Sequence, residues 1–255
     1  MQIAAIARER RHTLFFLDEL RPFAPVHLDT EVDMSGVLAH REAHRGDSRL
    51  SVVTYVLHSA ARVIAAHPEA NAAIRGRLRP KVARYGEVAG KVALDKRVGG
   101  RRVVVSTVLP DLDRTDLKGI QHELERFRDG DPETMPEFAS MLLLHRLPSL
   151  LARAAYRRAV RPLLAHPRFF GTFSVSSLGH RSVDGFHSVG GTTLTFGVGR
   201  IAQRPVVRDG QVTSAPVMRL NLTFDHRVID GAEAADVLTE VKETLEGFSA
   251  EEALR

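Results

Sequence analysis

Apolar and polar positions alternate along this chain at two spacings, and each spacing predicts a different element. Residues 26–32 place Val26, Leu28, Thr30 and Val32 between His27, Asp29 and Glu31, a half-buried strand. Residues 51–66 place Val53, Leu57, Ala60, Ala61 and Ile64 on one face of a helix that Pro68 ends. A shorter helix is expected near 34–44, started by Asp33 or Ser35, and another near 1–24, closed by a turn at Pro22. Two apolar patches in 87–109, split by Gly99-Gly100, predict paired strands around a turn. Leu117, Ile120, Leu124 and Phe127 predict a helix over 112–127.

The pattern becomes β-like after Gly171. Strands are expected over 172–178, 192–198 and 205–207 and, across an Asp209-Gly210 hairpin turn, over 212–217. Met218, Leu220, Leu222 and Phe224 then alternate with Arg219, Asn221 and Thr223. A last helix over 232–245 buries Ala234, Val237, Leu238, Val241 and Leu245, with Asp230 placed to cap it. Helices mixed with antiparallel hairpins, without a sequence repeat, predict a single α+β domain over 1–255.

Residues 131–170 stand apart. Phe138, the run 141–144, Leu147, Leu150 and Leu151 are interleaved with Arg146, Arg153, Arg157, Arg158 and Arg161. Pro136, Pro148 and Pro162 cut the stretch into short helices. The plain expectation is a helical hairpin packed on the core. Sharper alternatives are a lid or acceptor-binding insert, and a basic amphipathic surface touching anionic lipid.

Composition narrows the chemistry. The chain has 255 residues, 44% of them hydrophobic, enough to bury about three quarters of its unfolded surface. There is no cysteine, which excludes disulfides, thiolate metal sites and cysteine nucleophiles. No apolar run approaches the roughly 18 residues of a membrane span, and the first eleven residues lack a signal-peptide core; a cytoplasmic protein is expected. Basic residues number 36 against 31 acidic ones, a net charge of +5. That balance suits an anionic partner, but no nucleic-acid motif accompanies it, and none is expected as a partner.

The candidate chemistry gathers at 225–231, Asp225-His226-Arg227-Val228-Ile229-Asp230-Gly231, between a patterned strand and a patterned helix. An imidazole at the end of a rigid element suits proton transfer near neutral pH. It equally suits a satisfied structural histidine. Ser174, Ser176 and Ser177 can each offer a hydroxyl to a developing oxyanion, or serve as ordinary strand-end serines. His40 and His44 lie four apart, but Glu42 is misplaced for a helical zinc motif. His180 and His187 flank Asp184 without a ligand arrangement. No metal is expected, and neither a Walker A loop nor a dinucleotide fingerprint is present.

The string 221–232, from Asn221-Leu222-Thr223 through Asp225-His226-Arg227 to Asp230-Gly231-Ala232, closely resembles the catalytic signature of the 2-oxoacid dehydrogenase acyltransferases, relatives of chloramphenicol acetyltransferase. Residues 171–179, 25–33 and 51–71 are similar to further parts of that family. The resemblance implies a chloramphenicol acetyltransferase-like two-layer sandwich of a mixed β-sheet and packed helices. It implies His226 as general base, Ser176 as oxyanion donor, and Asp230 as a structural partner of Arg10 or Arg11. It implies coenzyme A or acyl-coenzyme A as substrate. It also implies a homotrimer, or a larger assembly of trimers, with each site shared between neighbours.

Departures are expected to matter. The family's Asn-Pro-Pro-like stretch is replaced by 187–192, and its Gly-Leu-x-x-Pro-Val segment by 102–107. The helical insert at 131–170 is longer than the usual connection. No lipoyl or subunit-binding domain and no attached lipoyl group are expected. The departures favour a small-molecule or carrier-bound acceptor over dihydrolipoamide; the alternative is a non-catalytic scaffold that kept the fold.

Overall fold

The computed structural model describes residues 1, 3–44, 49–76 and 78–249. Its frame is a six-stranded mixed sheet. The strands are β1 (Pro25–Asp33), β4 (Gly90–Val98), β5 (Arg101–Leu109), β6 (Phe173–Ser177), β7 (Leu194–Arg208) and β8 (Gln211–Asp225), in the order β1-β8-β7-β6-β4-β5. β6 runs parallel to both β4 and β7, and the other pairings are antiparallel. A separate hairpin joins β2 (Ala72–Arg75) to β3 (Lys81–Arg84).

One sheet face carries the main core. Phe173, Val175, Leu194, Phe196, Leu220, Leu222 and Phe224 point to it and are all but fully buried. Against them pack α3 (Val52–Ala66) and α8 (Gly231–Glu246), flanked by α2 (Ser35–Ala43) and α4 (Leu117–Asp129). The Ser51 hydroxyl caps α3 by accepting from the Thr54 amide at 3.2 Å. This is the expected α+β sandwich of mixed sheet and helices.

Successive strand residues face opposite sides, so Lys91, Ser174 and Thr195, neighbours across β4, β6 and β7, share the other face. The insert lies over that face. It forms α5 (Ala139–Arg146), α6 (Ser149–Val160) and α7 (His166–Phe170), with 3-10 turns at Pro136–Phe138 and Leu163–Ala165. Pro136 and Pro162 open those turns, and Pro148 directly precedes α6. The insert helices pack on α1 (Arg11–Leu20) as well as on the sheet. Gly171, at φ +70°, returns the insert to β6; a Cβ there would lie 2.6 Å from the Ala89 carbonyl oxygen.

The structure departs from several expectations, beginning with the first helix, which is confined to Arg11–Leu20. α4 begins at Leu117 rather than at 112. Asp111, at φ 50°, makes a turn that buries Leu112, and Asp116 caps the helix through the Gly119 amide at 2.8 Å. The separate strands at 192–198 and 205–207 are one strand, β7, bent by an irregularity between Val198 and Ile201. β2 and β3 carried no clear alternation and were not expected. The Asp209-Gly210 turn is as expected, with φ 51° and 76°, the backbone hand that a two-residue hairpin of the I′ type needs.

Phe196 sits at the centre of β7 with no exposed surface. Phe196→Ala is expected to lower unfolding stability by about 3–5 kcal/mol, read as a lower midpoint in urea with an unchanged slope.

Candidate functional site

β8 ends at Asp225, whose carboxylate is buried and shared. It accepts from the Ala24 amide at 3.3 Å and from the Arg227 amide at 3.2 Å, and the Arg227 guanidinium grips it at 2.9 and 2.5 Å. The Asp225 amide donates to the Thr193 carbonyl oxygen, and the His226 amide to that of Ala24, at 3.0 and 2.9 Å. The backbone under His226 is therefore fixed from three directions. Its imidazole reaches solvent: the side chain is 46% exposed, tilted against the Phe224 ring.

Asp230 occupies the residue before α8, but its side chain does not cap the helix. Its carboxylate points outward, 90% exposed, with Oδ1 3.5 Å from His226 Nδ1. The expected pairing with Arg10 or Arg11 is not made within the chain. The Arg11 guanidinium donates to the Leu147 carbonyl oxygen at 3.0 Å, a contact created by the insert.

The three candidate serines separate by their partners. The Ser174 hydroxyl is buried and accepts from Thr192 Oγ1 at 2.9 Å. The Ser177 hydroxyl accepts from the Gly179 amide at 3.3 Å. Among the described residues no hydrogen bond engages the Ser176 hydroxyl. Ser176 lines two spaces at once: an apolar cavity of ≈ 290 Å³ beneath the insert, and an open groove of ≈ 680 Å³ bordered by Arg10, Arg102, Arg128 and Arg181.

Ser176 and His226 are not brought together within one chain. Ser176 is in register with Gly197, and Gly197 with Asn221, five residues before His226. Two strand spacings across and five residues along amount to about 20 Å.

Other charged groups cluster at the insert. The Glu19 carboxylate is buried and held by Arg157, Arg161 and Arg75 at 3.0, 3.1 and 3.4 Å. Burial pushes its pKa up, but the three guanidiniums outweigh burial and leave it below the ordinary carboxylate range. The Lys91 ammonium is buried under Phe16 and Phe170, 4.5 and 5.1 Å from the ring centres, and donates to the Gly190 carbonyl oxygen. Burial alone pulls its pKa down to about 7. His12 and His145 touch at 3.0 Å between α1 and α5. Sequence patterning marked Arg157 and Arg161 only as basic positions of the insert and gave no signal for Glu19 or Lys91, which are buried in the folded chain.

The remaining histidines make no metal site. His40 and His44 do share a helix face, with ring centres 4.3 Å apart, but His40 Nδ1 lies 2.8 Å from the Tyr55 hydroxyl. Asp184 is engaged by Arg200 and Arg204. Among the described residues no group of three or more His, Asp or Glu side chains could hold a metal ion, and no helix is long and apolar enough to cross a membrane.

Comparison with known proteins finds relatives of the sequence and of the fold. Residues 169–253 match the family of 2-oxoacid dehydrogenases acyltransferase (catalytic domain). Over 50 residues the chain is 52% identical to the dihydrolipoyllysine-residue acetyltransferase component of the pyruvate dehydrogenase complex of Bacillus subtilis. That segment is 20% of this chain and 11% of the relative. The fold is shared with Azotobacter vinelandii dihydrolipoamide acetyltransferase, in a structure that addresses the role of one serine, one histidine and one asparagine in its catalytic mechanism. The TM-score is 0.72 at 19% identity, covering 100% of this chain and 94% of that one. It is shared also with the cubic core of a pyruvate dehydrogenase multienzyme complex, with a TM-score of 0.70 at 20% identity, covering 100% and 94%.

His166 gives this region a pH signature. Both ring nitrogens are buried without a hydrogen-bond partner, and burial, aided by the charges of Arg75 and Lys91, lowers its pKa from 6.5 to about 3. Above pH 6.5 the ring is neutral in both folded and unfolded chains. As pH falls below that value the unfolded chain takes up the proton first, so stability is lost from 6.5 down to about 3. His166→Phe should therefore lose less stability than the wild type between about pH 7.5 and about pH 4.5, measured by denaturant titration at each pH.

Proposed function

We propose, from the match of residues 169–253 to the family of 2-oxoacid dehydrogenases acyltransferase (catalytic domain), that the chain transfers an acyl group from acyl-coenzyme A to a small-molecule or carrier-bound acceptor. The observation that carries the reading is a rigidly mounted, exposed imidazole at His226; it is supported by the Ser176 hydroxyl, which no hydrogen bond engages among the described residues and which borders both the cavity and the groove.

His226 takes the proton of the attacking thiol, hydroxyl or amine. The freed lone pair adds to the thioester carbonyl carbon, and the carbonyl electrons move to oxygen, where the Ser176 hydroxyl donates to the oxyanion. The intermediate then collapses. The carbon–sulfur bond breaks, the acyl group stays on the acceptor, and the departing coenzyme A sulfur takes the proton from His226. Asp230, beside Nδ1, favours the tautomer that keeps the proton on that nitrogen and leaves Nε2 as the base. The arginine-bordered groove that reaches Ser176 suits the phosphates of coenzyme A. No metal enters any step.

A distance of about 20 Å cannot be closed by side-chain motion. The reading therefore requires that His226 of one subunit meet Ser176 of the next, in a homotrimer or an assembly of trimers. A closed ring of heterologous contacts builds one such site at each interface. The solved cubic core with this fold supports an oligomeric assembly.

His226→Ala should abolish acyl transfer from acyl-coenzyme A, followed by thiol release, while the chain stays folded. Ser176→Ala should cost about 10²–10³ in kcat. The two variants, mixed and allowed to exchange subunits, should regain activity, because about one interface in four then pairs an intact histidine with an intact serine. No regain under confirmed exchange would contradict the shared site. Full activity in His226→Ala would reject the acyl-transfer reading altogether.

A further inference from the structure

The insert encloses something the reaction itself does not need. Between α1, α5, α6, α7 and the sheet lies the cavity of ≈ 290 Å³, walled largely by Phe16, Val104, Met141, Tyr156 and Phe170. An apolar protein cavity of about 150 Å³ admits a six-carbon ring. This one has room for a ligand of about ten to twelve heavy atoms.

Lys91 stands in its wall. The side chain leaves the sheet from β4 beside Ser174 of β6, on the face that also carries Ser176 two residues further along. Its amine reaches one carbonyl oxygen, that of Gly190, and two aromatic rings. Among the described residues no carboxylate pairs with it. A buried ammonium without a counter-ion is costly. Arg75, Arg157 and Arg161 share the buried Glu19 carboxylate, so the region around the insert does supply a carboxylate to these part-exposed cations. At Lys91 it supplies none and leaves open space instead.

We infer that this cavity binds a mostly apolar carboxylic acid whose carboxylate pairs with the Lys91 ammonium. A carboxylate matches the site better than a phosphate. One amine can balance one charge, and the nearby Gly190 amide is already committed to the Thr195 hydroxyl. The aromatic walls take the apolar body, and the acid end lies on the same sheet face as Ser176. That this molecule is the acyl acceptor, or forms part of the acyl group, rests on the acyl-transfer reading; the binding itself does not.

The test is calorimetric titration of the full chain with decanoate and with 1-decanol, in the absence of acyl-coenzyme A. The wild type is expected to bind decanoate at least about tenfold more tightly than decanol. Lys91→Met, which keeps the length and apolar volume of the side chain, should lose that preference while binding decanol unchanged. A thermal melt checks its fold, which should hold, since a buried unpaired charge is being removed. Ala93→Phe, which fills the cavity from the same strand face and leaves Lys91 in place, should abolish both. Three results would overturn the inference: no binding of either probe by the wild type, undiminished decanoate preference in Lys91→Met, or full decanoate affinity in Ala93→Phe. None of them depends on turnover, so loss of transfer in His226→Ala and loss of decanoate binding are read separately.

Discussion

The register of the β7–β8 hairpin is the constraint on which the rest depends. Thirteen paired positions tie the two strands from Leu194↔Phe224 to Arg208↔Gln211. A slip of one residue would turn Leu220, Leu222 and Phe224 out of the core and bring Asn221 and Thr223 into it. That hydrophobic cost locks the end of β8, and with it the turn bearing His226. A separate parallel pairing, Phe173↔Leu194 to Ser177↔Val198, sets the height of β6 against β7, and so the position of Ser176. Two groups placed by one rigid sheet cannot drift toward each other. Their separation within the chain follows from the fold, and in the proposed reading a second subunit brings the histidine to the serine.

The insert changes what the other sheet face can be. Without it Lys91, Ser174 and Thr195 would form a polar strip of an ordinary half-exposed sheet. With α5, α6 and α7 in place, that strip becomes interior, and its polar atoms must find partners. Ser174 and Thr195 find them in the 190–192 turn, where Thr192 donates to Ser174 and the Gly190 amide donates to Thr195. The insert's own arginines converge on Glu19 of α1 and so fasten it to the N-terminal helix. Only part of the covered surface is then packed, and what remains is the cavity.

Legibility in the sequence followed from periodicity. α3 and α8 were readable because each keeps an apolar face over its whole length, and β8 because apolar and polar residues alternate over 218–224. β2 and β3 were not: Ala72–Arg75 and Lys81–Arg84 are four residues each, and β3 is mostly exposed, so no alternation builds up. The start of α4 was misplaced because Leu112 is buried in a turn, and burial alone mimics a helical face. At the site, His226 was marked by its position between two strong patterns. Ser176 was separable from Ser174 and Ser177 only through the family resemblance, since what distinguishes it physically is the lack of a hydrogen-bond partner, a property of the fold. Lys91 was illegible, because Gly90-Lys91-Val92-Ala93 reads as a strand with its lysine in water until another segment covers it.

Asp230 shows why a single subunit gives an incomplete account of such a site. Almost fully exposed, it lies at the outer limit of contact with the imidazole. In water a contact of this kind contributes little. It would do little to fix a tautomer there. The same pair under a neighbouring subunit loses its hydration, and the effective dielectric around it falls from that of water toward about 20, which multiplies the interaction several-fold. In the proposed assembly the carboxylate thus acts on the histidine only once the partner's serine has arrived. Base and oxyanion donor become competent together, and an unassembled chain displays an imidazole that is correctly mounted but weakly oriented.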